Sequence, residues 1–229
     1  LLYLLPGLDG TGRLYGPLVA ELSTDHDVCV VEYCVDRFES YEALASEIED
    51  RLSLDRPYAI IAESFAGPLA TLIAAARPAG LKGVVIAASF LCRPVRASSV
   101  LAGVLSALPA WLPPPMVLIE AILLGRWKTP QMRQALDTAL RSVRPAVLKT
   151  RLKAALRVDA SDAYACVHVP VLNIRASSDD LLRSDAYRDF DNLNADFVEV
   201  DAPHFVFQAL PQESANCIRR FLQERRVFN

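Results

Sequence analysis

Six short runs of branched aliphatic residues, separated by stretches of helical period, constrain this chain more than any other feature. They cover residues 1–5, 28–33, 58–62, 83–88, 169–174 and 197–200. Each is rich in Val, Ile and Leu and alternates poorly, the pattern of strands buried on both faces of a parallel sheet. Cys29 falls inside the second run and reads as a small buried hydrophobe. Between the runs, residues 13–22 have helical period, and residues 40–52 show it more clearly. There Leu44, Ile48 and Leu52 recur every four residues, with Glu42, Glu47, Glu49 and Asp50 on other faces. Residues 66–77 are mostly Ala and Leu, which predicts a buried helix. Residues 211–225 open with Pro at a first helical position and carry Ala215, Ile218, Phe221 and Leu222 as one apolar stripe. The alternation predicts an α/β fold with a mostly parallel sheet of about six strands and helices on both faces.

The alternation fails once, between the fourth and fifth runs. Residues 91–167 read only as helical or proline-rich sequence, too long for a bare loop. They predict a helical cap inserted after the fourth strand. The expected organisation is a core of residues 1–90 and 168–229, with the cap at 91–167. Within it, residues 97–119 carry no charge and have about the length of a membrane span. Pro109, Pro113, Pro114 and Pro115 break that stretch, so it is expected as two short apolar helices joined by a proline turn, not as an integral span.

Composition excludes several function classes. Of 229 residues, 52% are hydrophobic and 22% charged, too apolar for disorder. With 24 Lys and Arg against 27 Asp and Glu, the net charge of −3 offers no footprint for nucleic acid and no basic face for anionic membranes. The five cysteines (Cys29, Cys34, Cys92, Cys166 and Cys217) form no C-x-x-C pair. That argues against a zinc site or a complete disulfide framework. It favours a reducing compartment, and a cytoplasmic location is expected. The chain opens at Leu1 with no initiator Met, which leaves room for preceding residues or a removed signal peptide.

The chemistry-bearing residues follow the strands. The third run leads into Ala62-Glu63-Ser64-Phe65-Ala66-Gly67 and then into a helix. A serine on so tight a turn is forced into a strained backbone that lifts its Oγ clear of the sheet, and small residues two before and two after it avoid collision. The alternative is a serine capping the next helix. The first run is followed by Pro6-Gly7-Leu8-Asp9-Gly10-Thr11-Gly12, whose glycines let backbone N–H groups turn toward a common point, as a developing oxyanion requires. The spacing matches neither the dinucleotide fingerprint nor the P-loop. Of the three histidines, His26 precedes the second run and His168 the fifth. Only His204, in Asp201-Ala202-Pro203-His204-Phe205, lies beyond the carboxyl end of a strand, where open α/β sheets place their sites. Asp179 and Asp180 follow the fifth run, and either could hold the imidazole of His204.

The order Ser64, Asp179, His204, the elbow, the Gly-rich loop, the cap placement and the Pro-His-Phe ending together resemble the α/β-hydrolase superfamily over nearly the whole chain. The resemblance implies Asp179 as the acid and the backbone N–H groups of Leu8 and Phe65 as oxyanion donors. Two departures stand out: Ala62 and Ala66 replace the usual glycines, and the strand pair that usually precedes the first strand is absent. The implied activity is a serine hydrolase cleaving carboxylic esters through an acyl-enzyme, with a small-molecule ester bearing an apolar acyl group as substrate and with no cofactor or metal. The Pro-Gly-Leu-Asp-Gly-Thr-Gly form also resembles acyltransferase-like plant proteins, which leaves an acyltransferase or thioesterase as alternative. A non-catalytic binding protein is the reading from another class. Arg126, Lys128, Arg133, Arg141 and Arg144 make the second half of the cap basic, which reads either as a solvated helix face or as a docking face for an acidic partner.

Overall fold

The computed structural model describes residues 1–52, 55–92, 116–182, 184–187, 190 and 195–228. Its centre is a six-stranded sheet of β1 (Leu2–Leu5), β2 (Val28–Val30), β3 (Tyr58–Glu63), β4 (Leu81–Ala87), β5 (Val171–Ala176) and β6 (Asp196–Val200), in the order β2-β1-β3-β4-β5-β6. Every pairing is parallel, with register partners such as Leu4 and Ile61, Ile60 and Val84, and Ile174 and Val198. The strand order reverses between β1 and β3, so the loops leaving those two strands diverge around a crevice at their carboxyl ends.

Four of the strands are buried on both faces, as their unalternating sequences predict. The two edge strands are not. Cys29 on β2 is exposed, which corrects its reading as a buried hydrophobe, and Phe197 on β6 is 62% exposed. An edge strand has a neighbour on one side only, and apolar composition does not reveal which runs end at the edge.

Helices cover both faces. On one lie α1 (Gly16–Leu22), α8 (Val206–Ala209) and α9 (Pro211–Glu224), which bury Leu18, Leu22, Ile218 and Phe221 against Leu2, Leu4, Ile61 and Val85. On the other lie α2 (Tyr41–Glu49) and α3 (Ala66–Ala75), with Leu44, Ile48, Leu69 and Ile73 against Ile60, Val84 and Ile86. The Oγ of Ser40 caps α2 by accepting from the Ala43 N–H at 3.1 Å, and Pro211 occupies the first turn of α9. Helix α3 is buried almost all round, as its Ala and Leu composition predicts.

After β4 the described part of the insertion consists of α4 (Met116–Leu124), α5 (Pro130–Arg141), α6 (Pro145–Ala155) and α7 (Ser161–Ala165). The second of the two expected apolar helices is α4. The first, with the proline turn, lies outside the described residues. Ile119, Leu124, Leu136 and Ala139 close a small core with Leu14, and Phe205 packs against it. Among the described residues no helix is long and apolar enough to cross a membrane.

Candidate active site

Ser64 sits between β3 and α3 with φ +56°, a left-handed conformation that costs a residue with a Cβ about 1–3 kcal/mol. The turn is over-determined. The Ser64 N–H donates to the Ala87 carbonyl at 3.0 Å, while its own carbonyl accepts from Gly67 N–H at 3.1 Å and from the Ser89 hydroxyl. Ala62 and Ala66 are fully buried, so methyl groups fit where glycine is usual. The tight contact falls instead at Gly67, where a Cβ would come within 2.0 Å of the Ser89 Oγ.

His204 lies between β6 and α8, buried to 1% exposure. Its Nε2 is 2.6 Å from the Ser64 Oγ, and its Nδ1 is 2.8 Å from Asp179 Oδ2. The other oxygen of Asp179 accepts from the N–H groups of Leu181 and Leu182, each at 2.8 Å. Asp180, next in sequence, is exposed, so of the two aspartates it is Asp179 that the structure brings to the imidazole. The nearby Ser178 hydroxyl donates to Asp201, away from the imidazole. His26 and His168 lie at the opposite end of the strands. Burial pulls the imidazole of His204 down, but the charge and hydrogen bond of Asp179, with the charge of Glu63, outweigh it and raise its pKa above the ordinary 6.5.

The loop after β1 passes against the serine, since a Cβ at Gly7 would lie 3.9 Å from the Ser64 Cβ. The carbonyls of residues 5–10 are tied down one after another. Those of Leu5 and Pro6 accept from the Tyr15 and Tyr33 hydroxyls at 2.8 and 2.9 Å. The Gly7 carbonyl accepts from Gly10 N–H at 3.1 Å, those of Leu8 and Asp9 accept from Arg151, and that of Gly10 accepts from Tyr33 N–H. In a trans peptide the N–H points opposite its carbonyl. Fixing the carbonyls therefore fixes the direction of the Leu8 N–H, at the corner of the Gly7–Gly10 turn. Phe65 stands at the start of α3, where the first amides have no intrahelical acceptor.

The deciding observation is the complete topology: an all-parallel β2-β1-β3-β4-β5-β6 sheet, a strained serine after β3, a helical insertion after β4, an acid after β5 and a histidine after β6. The chain has the α/β-hydrolase fold. Solved structures agree. A hydrolase from Oleispira antarctica superposes with a TM-score of 0.83 at 16% identity, covering 97% of this chain and 90% of that one. A bromoperoxidase from Bacillus anthracis gives 0.80 at 14%, over 97% and 91% of the two chains. A thermophilic esterase from Thermogutta terrifontis gives 0.77 at 17%, over 98% and 89%. No family model and no curated protein matches the sequence. At these identities the likeness is one of fold, and the α/β-hydrolase structures named carry different chemistries, so the reaction must be argued from the residues of this chain.

Two residues that matter here were not legible as site residues in the sequence. Glu63, beside the serine, is buried on the opposite face of β3. Its Oε1 accepts from Phe207 N–H at 3.1 Å and its Oε2 from the Gln208 amide at 2.9 Å, which fastens the segment after His204 to the elbow. An ionisable residue ending an apolar strand was the available signal. Burial pushes its carboxyl up to about 7, against the opposing hydrogen bonds of Gln208 and Phe207 and the charge of His204. A raised acid pKa contributes stability that is fully present below the unfolded value near 4.5 and is lost as pH rises through 7. Ionised Glu63 thus costs the fold on the order of 3 kcal/mol. In Glu63→Gln the new amide can donate to a flipped Gln208, whose Oε1 has no partner among the described residues. We expect urea unfolding to show the variant gaining stability relative to the parent between pH 5 and pH 8. Parallel pH dependences would count against a raised Glu63.

The second is Arg151, on α6. The cations named from sequence behave differently. Arg126 pairs with Asp201, Arg133 with Glu120, Arg141 with Asp137 and Arg144 with Asp36, at 2.6, 2.9, 2.6 and 2.7 Å. Each of these four charges meets a carboxylate while its side chain stays largely exposed, as on a solvated helix face. The Arg126–Asp201 pair and the Phe205 N–H bond to the Leu123 carbonyl at 3.1 Å tie the insertion to the histidine loop.

Proposed function

We propose that this protein is a serine hydrolase acting on carboxylic esters, with residues 91–167 as a cap over the site. The observation that carries the reading is the unbroken chain from the Ser64 Oγ through both nitrogens of His204 to Asp179, at 2.6 and 2.8 Å. Ser64 Oγ attacks the ester carbonyl while Nε2 of His204 takes its proton. The N–H groups of Leu8 and Phe65 receive the oxyanion. The C–O bond to the alcohol breaks as His204 returns the proton to it, leaving Ser64 acylated. Water, deprotonated by His204, then adds to the acyl carbon, and collapse of that adduct returns the proton to Ser64 Oγ and frees the acid. Every proton moves between named groups, and the scheme needs no cofactor. The apolar α4 beside Phe205 supports an apolar acyl group.

A fluorophosphonate probe tests this reading directly. One equivalent is expected to attach at Ser64, identified by peptide mass spectrometry, and to abolish cleavage of a p-nitrophenyl ester series from short to long acyl chains. Labelling elsewhere, or no labelling, would overturn the assignment. Adding an alcohol as competing acceptor separates hydrolysis from acyl transfer.

A further inference from the structure

Arg151 is the largest fully buried side chain of the protein among the described residues, and it enters from the insertion. It lies on the buried stripe of α6, one turn from Val147 and one from Ala155. Its Nη1 donates to the carbonyls of Leu8 at 3.0 Å and Asp9 at 2.7 Å, and its Nη2 to that of Cys34 at 2.8 Å. The guanidinium lies over Tyr33, whose hydroxyl holds Pro6. Gly10 leaves it room: a Cβ there would sit 2.7 Å from Nη1.

We propose that Arg151 is a positioning residue for the oxyanion loop, so that the insertion sets the direction of the Leu8 N–H as well as covering the site. The proposal rests on the acyl-transfer reading given above. The physical argument concerns peptide planes. Leu8 N–H belongs to the plane of the Gly7 carbonyl, and the next two planes carry the carbonyls that Arg151 grips. Leu8 packs against the core and Asp9 accepts from the Thr11 N–H and hydroxyl within the loop, but the carbonyls of Leu8 and Asp9 are held by Arg151, and Gly10 and Gly12 have positive φ. Without the guanidinium, two adjacent peptide planes lose their anchor and the turn can rotate. A planar fork can bond three carbonyls in fixed directions, which a lysine ammonium cannot.

The test compares Arg151→Met, Arg151→Lys and, as a control, Arg141→Met at an exposed ion pair. Activity is measured per fluorophosphonate-titrated site. In Arg151→Met, kcat is expected to fall about 10²-fold with little change in KM, the loss that follows when one oxyanion donor is misdirected. Affinity for an alkyl boronate, which binds as a tetrahedral adduct, should fall in step with kcat/KM. Amide hydrogen exchange should quicken in residues 6–12 and stay unchanged in residues 62–67. Arg151→Lys keeps the charge and is expected to fold even where the Met variant does not, with the same split at smaller size. Arg141→Met should match the parent. A lowered thermal midpoint with unchanged kcat per site, or unchanged exchange in residues 6–12, would overturn the proposal. Failure of the parent protein to cleave any ester would refute the acyl-transfer reading instead, and the exchange of residues 6–12 would still decide whether Arg151 holds the loop.

Discussion

Replacing Ser64 by alanine is expected to lower ester hydrolysis by about 10⁶-fold, because among the described residues it is the Ser64 hydroxyl that bonds His204 Nε2. The fold should survive. The turn is held by Ser64 backbone groups bonded to Ala87, Gly67 and Ser89, and none of these bonds uses the side-chain hydroxyl of Ser64. A companion variant separates chemistry from strain. At φ +56° alanine is as strained as serine, whereas glycine is not. Ser64→Gly should therefore be equally inactive yet more stable than Ser64→Ala by about 1 kcal/mol. Kinetics on p-nitrophenyl esters and urea unfolding check both points. Alanine retaining more than about a hundredth of the parent rate would remove Ser64 from the nucleophile's role.

The second large effect is expected from Asp179→Asn, at about 10⁴-fold in kcat. The surroundings of Asp179 dictate which way the new amide must point. On one side the N–H groups of Leu181 and Leu182 donate, and they will select the amide oxygen. The NH₂ group is then left facing His204 Nδ1, which must accept. The proton moves to Nε2, and an imidazole protonated there cannot take one from Ser64. The pH profile gives an independent check. The His204 pKa is raised above 6.5 with Asp179 in place, so activity in the parent rises with pH through a value above 6.5 as the imidazole becomes neutral. Without the carboxylate, burial acts unopposed by its largest counterweight, and the acid limb should move to lower pH. Asp180→Asn, at an exposed position, should leave rate and profile unchanged. An equal loss in both variants would sink the assignment of Asp179.

Some of this was written in the chain itself. Unalternating Val/Ile/Leu runs between helical stretches can be satisfied only by strands with cover on both faces, and that requirement fixed the parallel sheet and its flanking helices. Ser64, His204 and the aspartate pair were legible because each follows a strand in the order of the resemblance, and parallel strands bring their carboxyl ends to one side. The distinction between Asp179 and Asp180 was not legible. Adjacent residues in a loop differ by where the backbone turns, and here the amides of Leu181 and Leu182 made that choice.

Local pattern, then, determined the class of fold and the end of the sheet where chemistry gathers, because periodicity and strand order are properties of neighbouring residues. Contacts between distant segments decided the rest. Cys29 faces solvent because β2 has a neighbour on one side only. Glu63 is buried with a carboxyl near pH 7 because α8 folds back over it from more than a hundred residues away. Arg151 stands among the basic residues of the insertion with nothing in its sequence to distinguish it from Arg141 or Arg144. Only the docking of α6 against the loop after β1 strips its water and hands it three backbone carbonyls, and a guanidinium so placed has those carbonyls as its remaining acceptors.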